Sequence, residues 1–372
     1  MKQPETPNQK RSNRRSFLKN GMLAAGVATV GGGLMSSRVQ SAFADSSKGP
    51  GITPGDIAIL RWLATAELIE TDLWIQYTEL GGVTSGAQNT YQQAFQFLDG
   101  DGSQYITSNT LDEQSHATFI DAYLKSKGAE PVNLDRFRTL PSSMATGAKH
   151  IGRLTNIMNL TVDTSWYTKY RSNTNPEFGA TYPQALTIVD RPGIPRDNAD
   201  FSDADHIQAI ANTAAFHFAF IEGGGSSLYA TMAQKVTNLE VLKIVASIGG
   251  DEVAHFVEWV DFAGNSVQGP PYNFAGSNDP VSDGGLTFPN FNLPPFGTPL
   301  YQTNLIFPIP CDFISKSLPR CAVIRPSLDS LSGALAAVKA FTADGLFIGQ
   351  SNTFLQVIHD IAAEADAAQR EL

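Results

Sequence analysis

Two Glu-x-x-His pairs, Glu113–His116 and Glu252–His255, stand in stretches whose apolar spacing predicts helix. Residues three apart on a helix share a face, so each pair can offer one carboxylate and one imidazole to the same ion. The chain holds 6 His and 13 Glu. With positions independent, two such pairs would arise by accident about 2% of the time. A lone Glu precedes each pair, Glu67 before the first and Glu222 before the second. Four carboxylates cancel the charge of two divalent ions, and the two imidazoles add a softer donor that suits iron or manganese. The predicted ligand set is therefore Glu67, Glu113, His116, Glu222, Glu252 and His255, holding two transition-metal ions inside a four-helix bundle. Without ions, each uncompensated buried charge costs on the order of several kcal/mol. Glu222 follows Ala214-Ala215-Phe216-His217-Phe218-Ala219-Phe220-Ile221, and Glu252 follows Ile244-Val245-Ala246-Ser247-Ile248. Acids planted in such core-like runs need a reason.

Other residues compete for these roles. Glu70, one turn after Glu67, is the second choice for its place or an outer partner of it, and Asp72 lies close behind. Asp203-x-x-His206 copies the spacing but falls in a predicted first helical turn, where Asp favours the helix dipole, so it reads as a cap. His217, five residues before Glu222, is off that face and reads as a core histidine. His150 and His359 have no acid three residues before them. Trp74 lies two turns beyond Glu67 on the same face; packing is its simpler role and a redox relay the alternative. Trp166, Tyr167, Tyr170 and Arg171 read as core, with an entrance or an oligomer contact as the other options. Gly223, Gly224 and Gly225 each cost roughly 1 kcal/mol inside a helix, which makes sense if the site needs space beside it.

The elements that must position these residues follow from caps and periodicity. Thr53-Pro54 opens a first helix that runs to Leu80 and stops at Gly81-Gly82. A short helix over 90–98 ends in the turn Asp99-Gly100-Asp101-Gly102, and 103–127 is the second main helix. Residues 141–200 form an insertion whose first half has helical spacing and whose second half, through Pro176, Pro183, Pro192 and Pro195, is loop. A third main helix spans 203–235, with Ser202 as cap and Asp205 as its capping-box partner, and a fourth spans 239–262. The Pro- and Gly-rich stretch to residue 326 is a wrapping loop, and 327–372 is helical again with a break near Gly345 and Gly349. The fold class is all-α, a bundle in which the insertion makes the long crossover from the second main helix to the third.

Arg14-Arg15-Ser16-Phe17-Leu18-Lys19, a weakly apolar core and Ala42-Phe43-Ala44 read as a twin-arginine export signal over 1–44. The expected location is periplasmic or secreted, with no membrane span in the mature form. The expected layout then runs from the bundle with its insertion (45–262), through the Pro/Gly-rich loop (263–326), to C-terminal helices packed on the bundle (327–372). Seven of the 26 basic residues and one of the 36 acidic ones precede residue 45, leaving a formal net charge of −16 on the rest. So acidic a chain argues against nucleic acid or anionic lipid as a partner. In an oxidising compartment Cys311 and Cys321, the only two cysteines, are expected to form a disulfide.

At Ala66-Glu67-Leu68, Asp112-Glu113-Gln114-Ser115-His116, Glu222-Gly223-Gly224-Gly225 and Asp251-Glu252-Val253-Ala254-His255 the chain resembles the ferritin-like superfamily. It most resembles exported bacterial ferritin-like-domain proteins akin to plant desiccation-related proteins. The resemblance covers roughly 53–128 and 203–262. It implies a di-iron or mixed iron/manganese site acting on a small molecule such as O2, peroxide or Fe(II), with homo-oligomerisation left open. A stress-protective bundle whose metal is structural is the alternative. Iron storage is a third reading, and the insertion and Pro-rich segment, which compact ferritins lack, speak against a shell.

Overall fold

The computed structural model describes residues 51–83, 88–167, 183–264, 281–289 and 333–371, with 291, 315 and 317. The export segment, Tyr170, Arg171, Cys311 and Cys321 lie outside these residues.

Helix α1, Pro54–Gly81, begins at a full capping box: Asp56 N donates to Thr53 Oγ1, and Thr53 N donates to Asp56 Oδ2, each at 3.0 Å. Asp56 also accepts from Thr237 N at 2.9 Å, which ties this helix start to the turn between two later helices. Helix α2 is Asn89–Leu98 and α3 is Gly102–Ser126. A Cβ on Gly102 would stand 2.5 Å from the Phe262 ring, so glycine lets α3 start flush against its neighbour. Helix α4 is Ala204–Ala233 and α5 is Leu239–Gly264.

These four long helices pack antiparallel to their neighbours in the order α1, α3, α5, α4. Thr78 meets Ile106 and Thr110 on α3 while Glu67 meets His116. Asn109 meets Trp259 on α5 while His116 meets Asp251. Tyr77 meets His217 on α4 while Glu67 meets Tyr229. In chain order α3 and α4 run the same way, and residues 127–203 make the crossover between them. The mostly helical bundle is the predicted fold class, and its core is continuous from Leu60 and Trp74 on α1 to Phe256 and Trp259 on α5.

Three expectations need correction. Asp203, not Ser202, caps α4: its carboxylate accepts from Asp205 N and His206 N, both at 2.9 Å. Ser and Asp cap about equally well, and the helix begins at Ala204, which puts Asp203 at the capping position. Over 141–164 the insertion carries no helix. It is held by isolated bridges, Leu140 to Arg153 and Leu160 to Arg191. Part of it is tied to α1: Asp72 Oδ2 accepts from Leu154 N and Thr155 N at 3.0 and 2.9 Å, and buried Arg153 pairs with Glu79. The loop after α5 contains an antiparallel hairpin, β1 Val281–Asp283 and β2 Leu286–Phe288, turning on Gly284 and Gly285. His206 links this hairpin to the start of α4, with Asp283 and Asp200 on its two nitrogens.

Helices α6, Ala334–Ala343, and α7, Asn352–Ala367, follow, and the reversal between them uses Gly345 and Gly349 at φ +91° and +92°. No helix among the described residues is long and apolar enough to cross a membrane.

Candidate metal centre

All six residues singled out by spacing meet at mid-height of the bundle. Glu67 comes from α1, Glu113 and His116 from α3, Glu222 from α4, and Glu252 and His255 from α5. The four carboxylates are at most 1% exposed, and the imidazoles are buried or nearly so. They form two overlapping groups able to hold an ion. One is Glu67, Glu113, His116 and Glu252; the other is Glu113, Glu222, Glu252 and His255, with ligand atoms in each within 4.8 Å of one another. Glu113 spans the two: its Oε2 is 3.4 Å from His116 Nδ1 and its Oε1 is 3.2 Å from His255 Nδ1. The cluster therefore has two ends, Glu67 with His116 and Glu222 with His255, joined by two shared carboxylates.

The residues fit metal ions, and the orphaned atoms show it. Glu67 Oε2, Glu113 Oε2, both Glu252 oxygens and His116 Nδ1 are buried without a hydrogen-bond partner among the described residues. Leaving so many acceptors unmet at one point is costly, roughly 1–3 kcal/mol for each neutral group and more for a charge. The glycine run has its reason here. A Cβ on Gly225 would fall 2.0 Å from Glu252 Oε2, whereas one on Gly224 would meet nothing within 4 Å. Only Gly225 is demanded by the cluster.

Electrostatics say the same. Burial, reinforced by the charges of Glu222 and Glu67, pushes the Glu113 carboxyl up to about 8. Burial also raises Glu252 well above the carboxylate range, with Glu113 and Glu222 adding to it. Burial alone would lower the His116 imidazole, but Glu113 and Glu67 outweigh it and hold it at about 10. His255 is raised likewise against its burial, with Glu222 the leading cause. Without cations the cluster compensates its charge with protons.

Several partners escaped the sequence reading. Each Glu-x-x-His pair is preceded by an Asp, and each Asp reaches the histidine of the other helix: Asp251 Oδ2 is 3.1 Å from His116 Nε2, and Asp112 Oδ2 is 3.3 Å from His255 Nε2. The Asp in both motifs was the available signal. Asn109 Nδ2 donates to Glu113 Oε1 at 2.8 Å and to Glu222 Oε1 at 3.1 Å. Its place one turn before Glu113 was the only hint. Tyr229 Oη donates to Glu67 Oε1, with nothing in its spacing to announce it. Glu70 is buried beside the cluster but in neither ligand group. It lines a cavity of about 70 Å³ with Gly224, Gly225, Leu228, Ala337 and Phe341, between α4 and α6.

Residues 55–265, more than half of the chain and all four bundle helices, match the ferritin-like domain family. The chain belongs to that family. The match includes the crossover insertion and stops before α6 and α7. Neither the curated proteins nor the solved structures compared with the chain gave a match.

Proposed function

We propose that this ferritin-like chain is an exported protein carrying two iron ions, or iron and manganese, and that it does redox chemistry on small molecules: oxidation of Fe(II), or reduction of O2 or peroxide. The observation that carries the reading is the sharing of Glu113 and Glu252 between two four-ligand groups. Bound metal ions would supply one-electron steps that no side chain of the cluster can supply. The chain's own residues do the rest. Glu252, which belongs to both ligand groups and has both oxygens without a hydrogen-bond partner among the described residues, would be able to help hold either ion. Asp112 and Asp251 fix the imidazoles with Nδ1 toward the cluster, since the proton then sits on Nε2 facing the Asp. Burial, with the charges of Glu113 and Glu67, raises Glu70 well above the carboxylate range. It stands at the wall of the cavity, which has room for a molecule the size of O2 or peroxide.

The test is metal analysis and kinetics together. The expected result is two metal ions per chain and peroxide or oxygen consumption that Glu252→Gln abolishes. A chain that takes up no iron or manganese overturns the reading. Metal uptake with no consumption, and a large fall in melting temperature on metal removal, assigns the ions a structural role. Export is tested by fractionation: replacing Arg14 and Arg15 with Lys should retain the protein in the cytoplasm.

A further inference from the structure

Glu70 is a buried carboxyl group that lies outside both ligand groups. It is 4% exposed, and its Oε2 has no hydrogen-bond partner among the described residues. It lines a cavity of about 70 Å³ whose eight other lining residues are all Gly, Ala, Ile, Leu or Phe. Gly224 stands exposed on one side of this cavity, and a Cβ there would meet nothing within 4 Å, which puts the mouth there. Gly225 marks the inner side, because Glu252 Oε2 occupies the space where its Cβ would stand. The cavity and the cluster thus share a wall one residue thick. Ala337, Ala340 and Phe341 close the remaining side from α6, which lies beyond the residues that match the family. The cavity is therefore this chain's own addition to the shared bundle.

The chemistry of the wall selects the occupant. At roughly 10–15 Å³ for each water-sized atom, the cavity takes about five to seven non-hydrogen atoms. One polar group in an apolar wall suits a molecule with one polar end and an apolar body. A hydroxyl both donates and accepts, so such an end pairs with a carboxyl group in either protonation state. Hydrogen peroxide is polar at both ends, and a single carboxyl group leaves its second hydroxyl unpaired against hydrocarbon. A long lipid chain exceeds the volume. A short or branched alkyl hydroperoxide meets both demands, with its O–O–H end at Glu70 and its carbons among Leu228, Ala337 and Phe341.

We propose that this cavity is a substrate site for small organic hydroperoxides, with Glu70 as the group that holds the hydroperoxide end. This rests on the redox reading above and names its substrate class. Reduction breaks the O–O bond: the outer oxygen leaves as water, and the inner one stays on carbon as the hydroxyl of an alcohol. Two electrons are taken, one from each of the two divalent ions that the cluster would hold, which end trivalent, and two protons come from solvent. The alcohol keeps the hydroxyl and the alkyl body, so it enters the same cavity without reacting.

The experiment uses the full chain and tert-butanol, the reduction product of tert-butyl hydroperoxide, to read binding without turnover. Saturation-transfer NMR, on the chain as purified and after metal removal, should show saturable binding. It should weaken at least tenfold in Glu70→Leu and in Ala337→Phe, which fills the cavity, and stay within about threefold in Glu70→Gln, whose amide still donates and accepts. The Fe(II)-loaded chain is then mixed with tert-butyl hydroperoxide or with hydrogen peroxide, and oxidation of its iron is followed by absorbance. The rate with the organic hydroperoxide should saturate, while that with hydrogen peroxide rises linearly over the same range. Absence of saturable tert-butanol binding, or binding unchanged in Glu70→Leu, overturns the site. Should Ala337→Phe fail to fold, Glu70→Leu decides alone, since it removes a buried polar group that has no partner. Binding without iron oxidation, or a chain that takes up no iron, overturns the redox reading and the hydroperoxide as substrate, whereas oxidation without saturable binding overturns the cavity alone.

Discussion

Asp251 on α5 stands 3.1 Å from the outer nitrogen of His116 on α3. The reciprocal pair, Asp112 and His255, is 3.3 Å apart. Each Glu-x-x-His motif thus orients the histidine of the other, and the two helices make one unit around the cluster. Asp112→Asn and Asp251→Asn should each lower metal affinity by roughly 10–100-fold, measured by competition with a chromophoric chelator. Unchanged affinity in both would mean that the imidazoles need no outer partner.

The shared and terminal carboxylates should differ in their consequences. Glu113→Gln or Glu252→Gln removes a group common to both ligand sets and is expected to abolish binding of both ions. Glu67→Gln or Glu222→Gln touches one end and should leave one ion bound. Glu70→Gln should leave metal content unaltered, because Glu70 lies in neither set. Metal counts on natively loaded protein check all three.

Protons and cations compete for this cluster. In the metal-free protein Glu113 is raised from 4.5 to about 8, by burial above all, and His116 from 6.5 to about 10, through Glu113 and Glu67 against its burial. The folded state holds protons that the unfolded state has released, so stability falls as pH rises. For Glu113 the loss runs between the two values 4.5 and about 8, and for His116 between 6.5 and about 10. The melting temperature of the metal-free protein should fall steadily from mildly acidic to alkaline pH, while the loaded protein should be nearly flat. Metal binding near neutral pH should release protons, and its affinity should rise with pH. Scanning calorimetry and proton release in weak buffer decide this.

The glycine run offers a paired stability test. Gly225→Ala would put a methyl 2.0 Å from Glu252 Oε2, and about 1–3 kcal/mol of destabilisation is expected for such overpacking, with metal loss. Gly224→Ala meets nothing within 4 Å and should stabilise α4 by about 0.5–1 kcal/mol through helix propensity. Denaturant melts of both variants measure the contrast. Equal effects would mean that the glycines are not there for the cluster.

The six clustered residues were legible because helical periodicity is local: two residues three apart share a face whatever else the chain does. The bounds of α1 and the break between α6 and α7 were legible for a similar reason, since Thr53-Pro54, Gly345 and Gly349 act through their own backbone. Ser202 was misread as the cap because Ser202 and Asp203 are both good caps, and which one serves depends on where the first turn begins. The first half of the insertion was misread because part of its hydrogen bonding goes to Asp72, Gln76 and Glu79 on a distant helix, and apolar spacing cannot report such partners.

What the sequence by itself determined is the inventory of candidate ligands, the helices that carry it and the net negative charge. Tertiary structure alone decided that Glu113 and Glu252 are shared, that each Asp serves the other helix's histidine, and that Glu70 lines one cavity with Ala337 and Phe341. Those relations join residues 70 to 341 in number, and they exist only where antiparallel helices bring side chains from different turns to the same height. The chain encodes them through the packing of the whole core, so no single stretch of it contains them.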